Sequence, residues 1–84
     1  MMDLAKEFEL AAATALTLKT RPDHEKLLRL YSLYKQAKEG DVKGERPRGF
    51  DFKSIAKYDA WASMKGKGQE TCMKEYIELV NSLS

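Results

Sequence analysis

Several features that would mark common protein classes are scarce in this 84-residue chain. No run approaches the ~18 apolar residues of a transmembrane helix, and the charges of Asp3, Lys6 and Glu7 come too early for the apolar stretch of a secretory signal. The single cysteine, Cys72, cannot form an internal disulfide, which favours a reducing compartment, and we expect it in the core. These absences predict a single cytoplasmic domain that covers residues 1–84.

Catalytic and metal-binding motifs are also lacking. The only histidine, His24, lies between Asp23 and Glu25, in what should be the exposed first turn of a helix. The chain has no CxxC, HExxH or Walker-type glycine motif, and its carboxylate pairs lie in no apolar setting that would favour acid catalysis. The sequence therefore predicts neither an enzyme nor a metal site, and it indicates no cofactor.

Charge of one sign is not in large excess. Lys and Arg number 15 against 13 Asp and Glu, which gives a net charge of +2 at pH 7. Proteins that bind duplex nucleic acid usually concentrate a much larger basic excess on one face. We therefore expect no nucleic-acid partner, although binding of single-stranded RNA through Tyr and Lys side chains stays open as a weak alternative.

Apolar residues recur at helical spacing, whereas no segment alternates with the period of a strand. The spacing predicts an all-α chain with four helices at about Asp3–Thr17, Asp23–Glu39, Phe52–Met64 and Gln69–Leu83. Asp3 is an expected N-cap, and Gly40 is an expected helix stop. Gly and Pro residues break the periodicity over residues 41–51 and predict one long loop there. The spacing alone leaves the topology open.

Aromatic and basic residues cluster on both sides of that loop. Tyr31, Tyr34 and Lys35 lie at i, i+3 and i+4 and therefore share one face of the second helix. The third helix carries a second cluster, which consists of Lys53, Lys57, Tyr58 and Trp61. Taken one by one, such tyrosines more often pack helices together and such lysines more often lie in solvent. Together, the phenol rings and ammonium groups could hold a phosphorylated aromatic ligand.

The order of these segments resembles the acyl-CoA-binding protein family. Its members carry a YxxYKQAxxGD segment, an ERPG-like turn and a DFKGKAKWDAW segment; this chain reads YSLYKQAKEGD, ERPRG and DFKSIAKYDAW. The resemblance implies an up-down-down-up four-helix bundle that binds medium- to long-chain acyl-CoA thioesters non-covalently and buffers or transports them inside the cell. It also implies a monomer, with transient contacts to lipid-metabolising enzymes or a membrane surface.

The resemblance further implies which residues hold the nucleotide. The positions that match the family's ligand contacts are Tyr31, Tyr34, Lys35, Lys57 and Tyr76. In this assignment Lys35 and Lys57 flank the ribose 3′-phosphate, and Tyr31 donates a phenolic hydrogen bond to it. Tyr34 supplies the face on which the adenine ring stacks.

Four other residues carry expectations of their own. Lys53, at the start of the third helix, is a further candidate cation, and Ala12 matches a small residue that lets the ligand approach the first helix. Trp61 is expected in the core, where its indole N–H requires a partner. Arg46 could meet the ligand's diphosphate or pair with a carboxylate and fix the loop.

Three departures from the family pattern affect these expectations. Tyr58 replaces a tryptophan and could leave a gap or place a hydroxyl in the core, and Leu16 replaces a lysine that many members direct at the ligand phosphates. The segment PRGF at residues 47–50 replaces PGML and could alter the mouth of the acyl cleft. They motivate an alternative of another class, a helical protein-interaction module that keeps the fold with weakened ligand binding.

Overall fold

The computed structural model describes residues 3–84, and these contain four helices. Their bounds are α1 Leu4–Ala15, α2 His24–Glu39, α3 Phe52–Ala62 and α4 Gln69–Leu83. Within the described range no residue lies in a strand, so the predicted all-α class is confirmed. None of these four helices combines the length and apolar character that crossing a membrane requires.

Aspartate side chains fix where three of the helices begin. In each case a carboxylate oxygen accepts the backbone N–H of the residue three positions later, at 2.8 to 3.1 Å. The three N-caps are Asp3, Asp23 and Asp51. Because such a bond satisfies an amide that has no partner inside the helix, the sequence predicts these starts to within one residue.

Two helices end earlier than the apolar spacing predicts. α1 ends at Ala15 instead of Thr17, and α3 ends at Ala62 instead of Met64. In both places amides of the next turn donate to carbonyls three residues back instead of four. This tighter 3₁₀-like turn is common at helix ends, and it preserves the apolar spacing over a short stretch, which explains why the sequence overestimates both helices.

The core lies between α1, α2 and α4. α4 packs against both α1 and α2, and α3 packs against α2. The buried apolar residues come from α1, α2 and α4, and they are Phe8, Ala11, Leu30, Leu33, Ala37, Cys72, Tyr76 and Val80. The predicted core position of Cys72 is thus confirmed. α3 contributes no buried side chain, so this helix lies on the outside of α2.

The loop between α2 and α3 is fastened by side chains. The indole N–H of Trp61 donates to the Gly40 carbonyl at 2.8 Å. The guanidinium of Arg46 donates to both carboxylate oxygens of Asp59, also at 2.8 Å. Trp61 is half-buried, so it is not the core residue that the sequence predicts. Its expected partner exists, and the predicted pairing of Arg46 with a carboxylate is confirmed.

A second set of bonds ties the same loop to the turn before α4. The Gln36 side chain is 1% exposed and donates to the Asp41 carboxylate at 2.8 Å and to the Lys67 carbonyl at 3.1 Å. Asp41 also accepts the backbone N–H of Gly66. These two donors, Gly66 first, hold the pKa of Asp41 below its ordinary value, since they stabilise the charged carboxylate.

Candidate functional site

The aromatic and basic face of α2 is partly open. Tyr31, Tyr34 and Lys35 are all half-buried, and the spacing that places them on one face is confirmed by the continuous helix from His24 to Glu39. The three side chains therefore combine a fixed backbone with surface that a ligand can reach.

α2 and α3 exchange cation–ring contacts across their interface. The Lys35 ammonium of α2 lies 4.9 Å from the centre of the Trp61 ring of α3. In the opposite sense, the Lys57 ammonium of α3 lies 5.2 Å from the centre of the Tyr31 ring of α2. Both distances fall within the range of an attractive cation–π contact. We call these two contacts the crossed pairs; they bring two cations and two rings to one α2–α3 groove.

Lys35 has a second neighbour on its own helix. Its ammonium contacts the carboxylate of Glu39 one turn later, and the side chains are 27% and 50% exposed respectively. The hydrogen bond to Glu39 is the main reason that the pKa of Lys35 is raised above its ordinary value, although partial desolvation acts against it. Lys35 therefore carries its charge throughout the physiological pH range.

An aromatic cluster supports Tyr34 from behind. Its ring stacks on Phe8 of α1 with centroids 5.5 Å apart, and it lies 5.9 Å from the ring of Tyr76 of α4. Phe8 and Tyr76 contact each other edge to face at 5.1 Å. Since Phe8 is 1% and Tyr76 5% exposed, the half-buried Tyr34 ring rests on a closely packed base that fixes its orientation.

Tyr76 itself lies in the core and not on an open surface. Burial raises the pKa of its phenol above the ordinary value, because the neutral form is favoured away from water. The structure therefore brings Tyr76 to the site through its contact with Tyr34. Its predicted contact with a ligand stays a prediction.

Lys53 lies one turn before Lys57 in the first turn of α3, where it is exposed. The nearby Asp51 has its pKa lowered, chiefly because Ser54 donates two hydrogen bonds to it and secondarily because of the charges of Lys53 and Lys57. Positive potential from the helix N-terminus adds to these charges. The start of α3 is thus suited to an anion.

Ala12 lies apart from the crossed pairs. It is half-buried in α1 and packs against the core. Its small side chain leaves room beside the Phe8 cluster. The predicted role in letting a ligand approach α1 stays a prediction.

Two departures from the family pattern have structural outcomes. The Tyr58 hydroxyl donates to the Gly44 carbonyl at 3.0 Å, so the expected gap or buried hydroxyl is replaced by another attachment of the loop. Leu16 is 89% exposed and follows the end of α1. It offers an apolar side chain to solvent at a position where a cation would otherwise extend.

Sequence reasoning missed the ion pairs that surround the site. Glu39 contacts Lys35, and the Lys38 ammonium reaches Glu9 of α1 at 3.0 Å. The first pair has the i, i+4 spacing of a helical salt bridge, so the sequence carried the signal for it. The second joins two helices and leaves no such mark.

An exposed aromatic pair at the junction of the loop and α3 was also missed. Phe50 and Phe52 are 90% and 70% exposed, and their rings meet edge to face at 6.3 Å. The spacing of two residues gives no helical face, which is why the sequence offered no interpretation of this pair.

Comparison with known proteins adds a family to this geometry. The sequence pattern of the family described as Acyl CoA binding protein matches residues 5–80. The chain is 48% identical over 82 residues to acyl-CoA-binding domain-containing protein 6 of Arabidopsis thaliana, which covers 98% of this chain and 89% of that protein. It is 47% identical over 76 residues to acyl-CoA-binding protein of Saccharomyces cerevisiae, with coverages of 90% and 87%.

Solved structures agree with the observed fold. The crystal structure of Oryza sativa acyl-CoA-binding protein 2 superposes with a TM-score of 0.91 at 43% identity, covering 96% of this chain and 90% of that one. The crystal structure of the Moniliophthora perniciosa protein superposes with a TM-score of 0.89 at 32% identity, covering 98% and 80%. The predicted bundle type is therefore confirmed.

Proposed function

Because the chain belongs to the acyl-CoA-binding protein family, we propose that it binds medium- to long-chain acyl-CoA thioesters non-covalently and thereby buffers and transports them. The ligand is released chemically unchanged, so the protein acts as a carrier and not as an enzyme. The carrier works as a monomer in the cytoplasm and makes transient contacts with lipid-metabolising enzymes or a membrane surface.

The observation that carries this proposal is the pair of crossed contacts between α2 and α3. A CoA nucleotide presents a phosphomonoester, a diphosphate and an aromatic base. Lys35 and Lys57 supply two cations at one groove, and charged phosphate oxygens make hydrogen bonds with such groups that are stronger than neutral ones. In our assignment the 3′-phosphate lies between these two ammonium groups and accepts the phenolic hydrogen of Tyr31.

The adenine ring stacks on Tyr34 in this proposal. The Phe8 and Tyr76 rings behind Tyr34 reduce the rotational freedom that stacking would otherwise remove, so less entropy is lost on binding. Tyr76 acts here as a contact at the inner edge of the base. Ala12 keeps α1 narrow beside it.

The remaining parts of the ligand follow the ends of the groove. Lys53, one turn from Lys57, is placed for the diphosphate. Leu27 lies one turn before Tyr31 on the same face of α2 and is half-buried, so it offers apolar surface for the acyl chain. The chain is shielded between this surface and the CoA moiety.

Thermal unfolding with and without ligand tests the proposal against its alternative. A ligand that binds only the folded state at 100 times its Kd adds about 2.7 kcal/mol of stability, which for a domain of this size corresponds to a rise in Tm of roughly 10 to 20 °C. Palmitoyl-CoA should produce such a rise. A protein-interaction module with the same fold would unfold at one temperature in the presence and absence of palmitoyl-CoA.

A further inference from the structure

The two lysines of the crossed pairs differ in their surroundings. Lys57 contacts the Tyr31 ring and forms none of the ion pairs found among residues 3–84. Lys35 contacts the Trp61 ring and also the Glu39 carboxylate. One cation of the groove is therefore open to an incoming anion, while the other already has one.

The position of Glu39 is not explained by helix stability. It is the last residue of α2, and the last turn of a helix favours positive side chains, because its carbonyls carry partial negative charge. A carboxylate at that position is mildly unfavourable for the helix. Its ion pair with Lys35 offsets that effect, which leaves Glu39 with little net value for folding and a direct influence on the groove.

We propose that Glu39 is a resident counter-anion that competes with the ligand's 3′-phosphate for Lys35 and so determines how strongly the protein selects ligands that carry this phosphate. The inference rests on the proposed function, since it takes the ligand to be a CoA thioester. Glu39 is thus a specificity-determining residue, although it makes no favourable contact with the ligand.

The competition is weak enough for a phosphate to win. An ion pair at i, i+4 on an exposed helix surface changes an equilibrium constant by only about twofold. A phosphomonoester carries about −1.5 to −2 charges at neutral pH and can displace the carboxylate. The displaced carboxylate still lies within a Debye length of about 8 Å, where it continues to repel the phosphate.

Removing the carboxylate separates two roles for Glu39 by the sign of the effect. If Glu39 competes, Glu39→Gln tightens binding of palmitoyl-CoA by about two- to tenfold at low salt, and the gain shrinks at 0.5 M salt. If Glu39 instead holds Lys35 in the binding position, the same variant weakens binding. The exchange is nearly isosteric, and the side chain is 50% exposed, so the fold is preserved.

The experiment is isothermal titration of the wild type, Glu39→Gln and the control Glu78→Gln with palmitoyl-CoA and with 3′-dephospho-palmitoyl-CoA. Glu78 is exposed, lies two residues from Tyr76 and hence on the opposite side of α4, and forms none of the ion pairs among residues 3–84. Its substitution changes the net charge equally, away from the groove.

The proposal expects tighter binding for Glu39→Gln with palmitoyl-CoA, a much smaller change with the dephospho ligand, and no change for Glu78→Gln. Unchanged or weaker binding by Glu39→Gln overturns the role of Glu39 while the wild-type titration still supports the carrier. An equal gain for both ligands or for both variants also overturns it, since the effect would not depend on the 3′-phosphate at Lys35. Silence of all three proteins toward palmitoyl-CoA overturns the carrier function itself and the inference with it.

Discussion

The Lys57 ammonium of α3 lies 5.2 Å from the centre of the Tyr31 ring of α2. This contact joins the candidate site across a helix interface in which α3 buries no side chain fully. The position of Lys57 consequently depends on side chains that fasten α3 and its loop, among them Trp61 and Arg46. Binding and the stability of the α2–α3 connection are therefore coupled.

Lys35→Ala should weaken acyl-CoA binding by roughly 1–3 kcal/mol, because a charged contact to phosphate is lost. Folding should change little, since the lost ion pair with Glu39 is exposed. Titration and urea unfolding of one preparation measure both quantities. The control is Lys74→Ala, at an exposed position two residues from Tyr76 and thus on the far side of α4. Unchanged affinity together with a collapse in stability would make Lys35 a structural residue.

Phe8→Ala should reduce the free energy of unfolding by about 3–5 kcal/mol, since a fully buried aromatic ring is removed and a cavity is left. Phe8 is 1% exposed and stacks on Tyr34. The matched control is Phe50→Ala, because Phe50 is 90% exposed and its loss should stay within about 0.5 kcal/mol. Equal effects of the two substitutions in urea unfolding would contradict the packing of α1 described above.

Tyr58→Phe should cost about 0.5–1.5 kcal/mol, the usual net value of one hydrogen bond, because only the bond to the Gly44 carbonyl is removed. Amide hydrogen exchange should accelerate in residues 41–51 more than in α4, since the bond fastens the loop and not the core. Uniform acceleration throughout the chain would instead show that Tyr58 supports the fold as a whole.

Stability should fall in acid through three exposed carboxylates. The pKa of Asp41 is lowered by hydrogen bonds from Gly66 and Gln36, and that of Asp59 by its hydrogen bonds from Arg46; Asp51 is lowered likewise. Each folded-state pKa lies below the ordinary 3.8, so the stabilisation is complete above that value and is lost as pH falls through the folded-state pKa.

The urea midpoint should therefore be flat from about pH 5 to 8 with respect to these groups and should decline below about pH 4. Asp59→Asn should begin from a lower stability and decline less steeply. A wild type and variant with parallel acid limbs would show that the Arg46 pair does not depress the pKa of Asp59.

Much of the fold could be predicted from local signals. The aspartate caps at Asp3, Asp23 and Asp51 act within three residues, so the helix starts follow from the sequence. The helix ends were less accessible, because the tightened turns after Ala15 and Ala62 keep the same apolar spacing as a continuing helix.

The site divides along the same line. The shared face of Tyr31, Tyr34 and Lys35 follows from the helical period, whereas the crossed pairs depend on how α3 lies against α2. That packing is set by long-range contacts such as the bond from Trp61 to Gly40, and no local pattern encodes it. The sequence therefore supplied the members of the site but not their pairing.

The central claim is that this groove binds an acyl-CoA through both of its halves, the nucleotide and the acyl chain. Isothermal titration with palmitoyl-CoA, CoA, free palmitate and a shorter acyl-CoA, each below its micelle concentration, tests it most directly. The account predicts tight one-to-one binding of palmitoyl-CoA, weaker binding of the shorter ligand and of CoA, and none of palmitate. Equal binding of palmitate and palmitoyl-CoA, or no heat from any of the four ligands, would contradict it.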